Sequence, residues 1–342
     1  MIGYYIHHRG AGHLQAARCI AAQVRDDITG LSSLAMPGDW PGEWVRLPRD
    51  DTAGRPVQPT AYGRLHWAPL GDAGLRTRMA AIARWISQAG PSVLMVDVSV
   101  EVSLLARLMG VPVVAKVLPG RRDDPAHQLG YAMAETLIAP WPASVPGLLA
   151  DDGVPWAGKV RHVGAFSRFD GRPPESRPAR RGDHRQVLVL QGQGGSAITE
   201  RDLRLAARRT PGWRWAALGG TGPWKHDPWA DLCQTDVVVT HAGLNTLAEV
   251  AAARKPAVVI PQARPHGEQA ATARALASAR LAVIAHIWPT ADRWPAVLHA
   301  ALRIGGSRWA SWSPGTAAAH AARLIESASQ HSSSQPLCVS LW

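Results

Sequence analysis

Short apolar runs alternate with longer stretches of helical periodicity along most of the chain. Residues 2–6 read as a strand and 14–24 as an amphipathic helix. A helix over 76–88, a strand over 92–97, a helix over 102–108, a strand over 111–117, a helix ending at 135 and a strand over 136–139 continue the alternation. It resumes with strands over 186–190 and 213–218, and is densest between residues 236 and 261. There the run Asp236, Val237, Val238, Val239 leads into a turn of small residues. An Ala-rich helix over 247–254 and a second apolar run over 256–261 follow, and a last strand spans 281–284. Strand, helix, strand repeats of this kind predict parallel strands joined by helical crossovers, so the fold class is α/β.

Two segments break the pattern. Residues 36–75 are rich in Pro, Gly and Trp and read as loops and short strands. Residues 166–183 are rich in Pro, Arg and Gly with little apolar content, and read as a domain boundary. A chain of 342 residues suits two domains, each large enough to bury its own core. The expected partition is a first domain over 1–165, a linker over 166–185 and a second domain over 186–312. A helix over 313–327 returns toward the first domain, and a Ser-rich, disordered tail spans 328–342. The aromatic residues Trp288, Trp294, Trp309 and Trp312 read as core rather than as stacking platforms.

Composition changes the picture in one respect. The formal charge is +11, and only four of the 37 basic residues are Lys. Together with heavy Ala, Pro and Gly usage, this suits either a compositional bias or an anionic partner, such as an anionic membrane surface or a nucleotide-linked substrate. No helix-turn-helix, zinc-finger or aromatic-plus-basic signature points to nucleic acid. Cys19, Cys233 and Cys338 are odd in number and scattered, so neither a disulfide framework nor a metal-ligand spacing is expected. The chain opens directly on a strand, without a signal segment or an apolar run of membrane-spanning length, and a cytoplasmic location is expected, any membrane docking being peripheral and from the cytoplasmic side.

Candidate chemistry gathers at three turns. The first, around Gly10, Gly12 and His13, follows the first strand, and a His suits a general base because the unperturbed imidazole titrates near physiological pH. Asp97, at the end of the strand over 92–97, either orients His13 or caps the next helix. His7 and His8 are weaker candidates for the base. The second turn, Gly194, Gly195 and Ser196, lets backbone approach a phosphate closely. The third runs through His241, Ala242, Gly243, Asn245 and Thr246 at a helix start, where unpaired N–H groups and the helix dipole favour an anion. Thr246 and Asn245 acting merely as helix caps is the competing reading. Glu249, one turn further in, suits two ribose hydroxyls. Arg121, Arg122 and His127 either meet an acceptor phosphate or form a solvated charge run.

The contiguous pattern His241, Ala242, Gly243, Asn245, Thr246, Glu249, then Pro256, Pro261 and the Glu268–Gln269 pair, resembles the donor site of GT-B glycosyltransferases, in particular the C-terminal domain of MurG-like enzymes. The match spans about residues 236–276, and the rest of the chain fits the two-domain pattern more loosely. The resemblance implies a GT-B fold, with two Rossmann-like domains facing across a cleft. It implies a UDP-sugar donor, an acceptor at the Gly10–His13 turn, inversion at the anomeric carbon and no resident cofactor. The family holds the donor sugar with an amide pair where this chain has Glu268 and Gln269, which puts GlcNAc as the sugar in doubt. No DxD element is placed to hold a metal at the diphosphate; the acids at 26–27, 50–51, 123–124 and 151–152 read as loop residues. Lipid-linked, cell-wall and secondary-metabolite acceptors stay open. Two other readings remain: a UDP-sugar 2-epimerase of the same fold, and a non-catalytic nucleotide-sugar-binding subunit that recruits a membrane partner.

Overall fold

The computed structural model describes residues 1–334, apart from 52–53, 151–153, 174–183, 193 and 196. The first sheet is built from β1 (Ile2–Ile6), β2 (Ile28–Ser32), β3 (Glu43–Arg46), β4 (Val93–Asp97), β5 (Val113–Lys116), β6 (Thr136–Ala139) and β7 (Val160–His162). The second is built from β8 (Arg185–Leu190), β9 (Trp213–Leu218), β10 (Val237–Thr240), β11 (Ala257–Val259) and β12 (Val283–Ile284). Their orders are β3-β2-β1-β4-β5-β6-β7 and β12-β11-β10-β8-β9, and the pairings are parallel throughout. In each sheet the direction of strand addition reverses once, between β1 and β4 and between β8 and β10. Crevices at the carboxyl ends of such strand pairs are where ligands bind in open α/β sheets.

Side chains alternate across each buried strand. Ile2, Tyr4 and Ile6 face a cluster that includes Ala17, Ile20 and the C-terminal helix residues Ala317, Ala321, Ala322 and Ile325. Tyr5 points the other way, toward Ile82, Trp85 and Ile86 of the helix Ala73–Ala89. The chain thus leaves the second domain and returns to pack on the first. That last helix runs Ala317–Ser334, so residues 328–334, expected to be disordered, are helical. The reason is local: Ser329 is buried with its Oγ 2.6 Å from Ser92 Oγ, and Ala328 packs on the same cluster. Residues 335–342 of the expected tail, and part of the expected linker, lie outside the described residues.

Several elements escaped the apolar pattern, among them β2 and two helices. β2 is short and interrupted by Gly30, where a Cβ would run into the Trp44 ring, so its burial comes from its neighbours. The helix Glu200–Arg209 is largely polar and is started by a capping box between Thr199 and Asp202. The helix Trp294–Ile304 lies in the Trp-rich tract, and buries Trp294, Leu298 and Ala301 against β8, β10 and β11. Trp294 stacks edge-on to Trp215 at 4.9 Å, and Trp309 and Trp312 are fully buried. Among the described residues, no helix is long and apolar enough to cross a membrane.

Candidate active site

β1 and β4 are neighbours, and Ile6 is in register with Asp97. The turn after β1 therefore opens beside the end of β4. Gly10 adopts φ +90°, a conformation that favours glycine, and the helix Ala11–Ala21 starts at the next residue. The helix thus starts three residues earlier than the apolar periodicity suggests, and His13 lies in its first turn. Its Nδ1 is 2.7 Å from Asp97 Oδ2. Asp97 is fully buried and also ion-paired with Lys116, at the end of β5. Burial alone would raise the Asp97 pKa; the His13 and Lys116 charges outweigh it and hold the carboxyl below its ordinary range. An ionised carboxylate only accepts hydrogen bonds, so His13 Nδ1 donates to it, and in the neutral ring the lone pair is on Nε2.

The second half of the site repeats this geometry. β10 and β8 are paired with Thr240 beside Leu190, which brings the third turn next to the second. The helix Leu244–Ala252 starts after Gly243 without any side-chain cap, and the helix Ala11–Ala21 is likewise uncapped at Gly10. Neither Asn245 nor Thr246 therefore serves as the cap. The two helix starts face each other: a Cβ on Gly12 would collide with Asn245 Nδ2. Between them lies a cavity of about 260 Å³, lined on one side by Gly10, Gly12, His13 and Lys116 and on the other by Ala242, Gly243, Asn245, Arg264, Glu268 and Gln269.

Other expected residues are placed differently. His241 is buried and does not line the cavity; its Nδ1 bonds Ile260 O at 2.8 Å, bracing the ends of β10 and β11, and burial lowers its pKa. Thr246 faces the neighbouring turn, where a Cβ on Gly192 would lie 3.7 Å from its Oγ1. Gly194 O accepts from Arg264 Nη2 at 2.5 Å and Gly195 O from Gln262 Nε2 at 3.1 Å, so this turn is tied to the loop after β11. Ser196 lies outside the described residues.

Glu249 is ion-paired at 2.9 Å with Arg168, which follows the first domain. Burial pushes the Glu249 carboxyl up, against the pull of Arg168. Gln269 Oε1 accepts from Ala242 N and Gln262 N, so its oxygen holds the loop, and its amide nitrogen is the group left for a ligand. Glu268 pairs at 2.6 Å with Arg122. Arg122 is 3% exposed and also donates to Leu118 O and Pro119 O. It is an interdomain strut rather than the phosphate-facing cation of the sequence reading, because its donors are already committed. Arg121 is exposed and paired with Asp123, away from the cavity, while its backbone N donates to His266 O.

Three site residues escaped the sequence reading: Lys116, Arg168 and Arg264. Lys116 had a visible signal, being the one charge in an apolar strand. Arg168 and Arg264 sit in loops where nothing in the local pattern separates them from the other arginines.

His7 stacks on His8 and lies 5.5 Å from the His13 ring. Burial, and then the His13 charge, lower its pKa from 6.5 to about 4. A ring kept neutral in the fold stabilises fully above its unfolded value of 6.5. As pH falls from 6.5 toward 4, the unfolded chain takes up a proton that the native ring refuses, and stability is lost. The thermal midpoint should therefore drop across that window, and His7→Gln should flatten the drop, as read by thermal unfolding at a series of pH values.

Residues 223–298 match the family model of the glycosyltransferase family 28 C-terminal domain. No curated protein matches the sequence. Among solved structures, the fold is similar to the glycotransferase of kitacinnamycin at 20% identity and a TM-score of 0.67, over 96% of this chain and 98% of that one. It is similar to MurG of Acinetobacter baumannii at 15% identity and a TM-score of 0.63, over 95% and 99%. It is also similar to SsfS6 of Streptomyces sp. SF2575, complexed with thymidine diphosphate, at 15% identity and a TM-score of 0.60, over 95% and 99%. The chain thus has the GT-B fold, and residues 223–298 of its second half match the glycosyltransferase family 28 C-terminal domain.

Proposed function

We propose that the chain moves a sugar from a nucleoside-diphosphate sugar, a UDP-sugar in the first instance, to an acceptor hydroxyl with inversion at the anomeric carbon. The observation that carries this reading is the cavity between two uncapped helix starts, with His13 on its wall and the buried Asp97 behind it. The diphosphate would sit on the N–H groups of Leu244 and Asn245, where the helix dipole favours negative charge. Arg264 lines the same wall and adds a fixed positive charge. Glu249, steadied by Arg168, would accept the ribose hydroxyls. The Gln269 amide nitrogen and Glu268 would meet the sugar.

In the reaction, the acceptor oxygen attacks the anomeric carbon as His13 Nε2 takes its proton. The bond from that carbon to the diphosphate oxygen breaks, and its electron pair leaves with the diphosphate. Asp97 stabilises the imidazolium that forms. Preorganised N–H groups and Arg264 stabilise the leaving charge without solvent rearrangement.

Two features weigh against the 2-epimerase reading and a metal-held diphosphate. Glu268 is the one acid on the cavity wall among the described residues, and it is neutralised by Arg122. A 2-epimerase needs several acids around the sugar carbon, and a metal-held diphosphate needs carboxylates aimed at it. Turnover of a panel of nucleotide sugars, with and without EDTA, tests the assignment. Transfer or slow donor hydrolysis that persists in EDTA is expected; a strict divalent-ion requirement would overturn the metal-independent part. No turnover of any donor would favour a binding subunit.

A further inference from the structure

Away from the His13 cavity, three imidazoles and one carboxylate converge where the domains touch. Asp124 is the hub. Its Oδ2 is 2.5 Å from His127 Nδ1 and 3.8 Å from His266 Nδ1, and its Oδ1 is 3.0 Å from His66 Nε2. The rings crowd together, with centroids 4.3 Å apart for His66 and His127 and 4.9 Å apart for His127 and His266. His66 and His127 belong to the first domain, and His266 to the loop of the second that precedes Glu268. That loop is docked: His266 O accepts from Arg121 N at 2.9 Å, and a Cβ on Gly120 would collide with the same carbonyl.

We propose that His66, Asp124, His127 and His266 bind a divalent transition-metal ion, zinc fitting best, that bridges the two domains beside the cleft. Imidazole nitrogens with one carboxylate are a donor set that suits zinc. Ligand atoms around tetrahedral zinc lie about 2.0–2.2 Å from the ion, hence about 3.3 Å from one another. The present separations from the Asp124 carboxylate scatter on both sides of that value, so small side-chain shifts suffice.

Neutral imidazoles and an ionised carboxylate are the forms that ligate. The opposing charge is Arg122, whose Nη1 is 3.3 Å from His127 Nε2. Ligation through Nδ1 puts the His127 proton on Nε2, so this contact is given up; Arg122 keeps Glu268, Leu118 O and Pro119 O as acceptors. The site shares no group with the His13 cavity chemistry, so it stands or falls separately from the transferase reading.

The test is a titration of the full chain, stripped with chelator and dialysed, with Co²⁺ and then Zn²⁺. One Co²⁺ per chain, with the absorption of a nitrogen and oxygen site and displacement by Zn²⁺, is expected. His66→Ala and His266→Ala, both at partly exposed positions, should each weaken binding by more than about 10- to 100-fold, the range for losing a group that only orients a ligand. His286→Ala, at an exposed histidine elsewhere, should leave it unchanged. Circular dichroism checks that each variant folds. Absence of saturable binding overturns the proposal, as does a thiolate charge-transfer band that puts the ion on a cysteine. Unchanged affinity in His266→Ala overturns the bridging of the domains.

Discussion

His13→Ala is expected to lower kcat by about 100- to 10,000-fold, the usual contribution of a positioned general base. The expectation rests on three features of the residue. It lies in the first turn of a helix at the cleft, its Nδ1 is held 2.7 Å from a buried carboxylate, and its ring lines the cavity. Nothing in the arrangement makes His13 a donor-binding group, so nucleotide affinity and the donor KM should change little. Steady-state kinetics of transfer, paired with calorimetric titration of the nucleotide, separate the two effects. If His13 merely packs the turn, the variant loses stability while kcat per folded molecule stays near that of the parent.

Asp97→Ala carries the largest expected cost to stability. The carboxylate is fully buried between His13 and Lys116, and Lys116 is itself 5% exposed. Removing one partner of a buried pair leaves the other charge desolvated and costs about 3–5 kcal/mol. That is a large share of the roughly 5–15 kcal/mol by which folded proteins are stable. Asp97→Ala combined with Lys116→Met removes both charges and should recover most of the loss, a coupling that a double-mutant cycle measures directly. Activity should not return, since His13 then lacks the group that fixes its tautomer. Urea unfolding of the four proteins in the cycle gives the stabilities. A cost below about 1 kcal/mol for Asp97→Ala, the scale of an exposed ion pair, would mean that water reaches the pair.

The same residues mark how far the sequence alone is legible. His13 and Asp97 stand out because each follows an apolar strand, and parallel strands put their carboxyl ends on one edge of the sheet. The Gly243–Asn245 helix start is readable for the same reason. Lys116 belongs to that logic too, as the one charge in an apolar run, at the end of β5. What sequence pattern does not carry is the pairing of distant loops. Glu249 with Arg168, and Glu268 with Arg122, meet only when two domains close on each other. Arg122 illustrates the difference: as part of a charged loop it resembles a phosphate ligand, and in the fold its donors are consumed by carbonyls and Glu268. β2 and the helix Glu200–Arg209 were hidden for a related reason, since Gly30 and a polar helix surface owe their order to neighbours rather than to their own periodicity.

The central claim is that the uncapped start of the helix Leu244–Ala252 grips the diphosphate of a nucleotide sugar. A crystal structure of the chain with UDP tests it most directly. The claim predicts the diphosphate on the Leu244 and Asn245 N–H groups, Arg264 beside it and Glu249 on the ribose. A nucleotide seated elsewhere, or side chains closing that helix start in the complex, would contradict it.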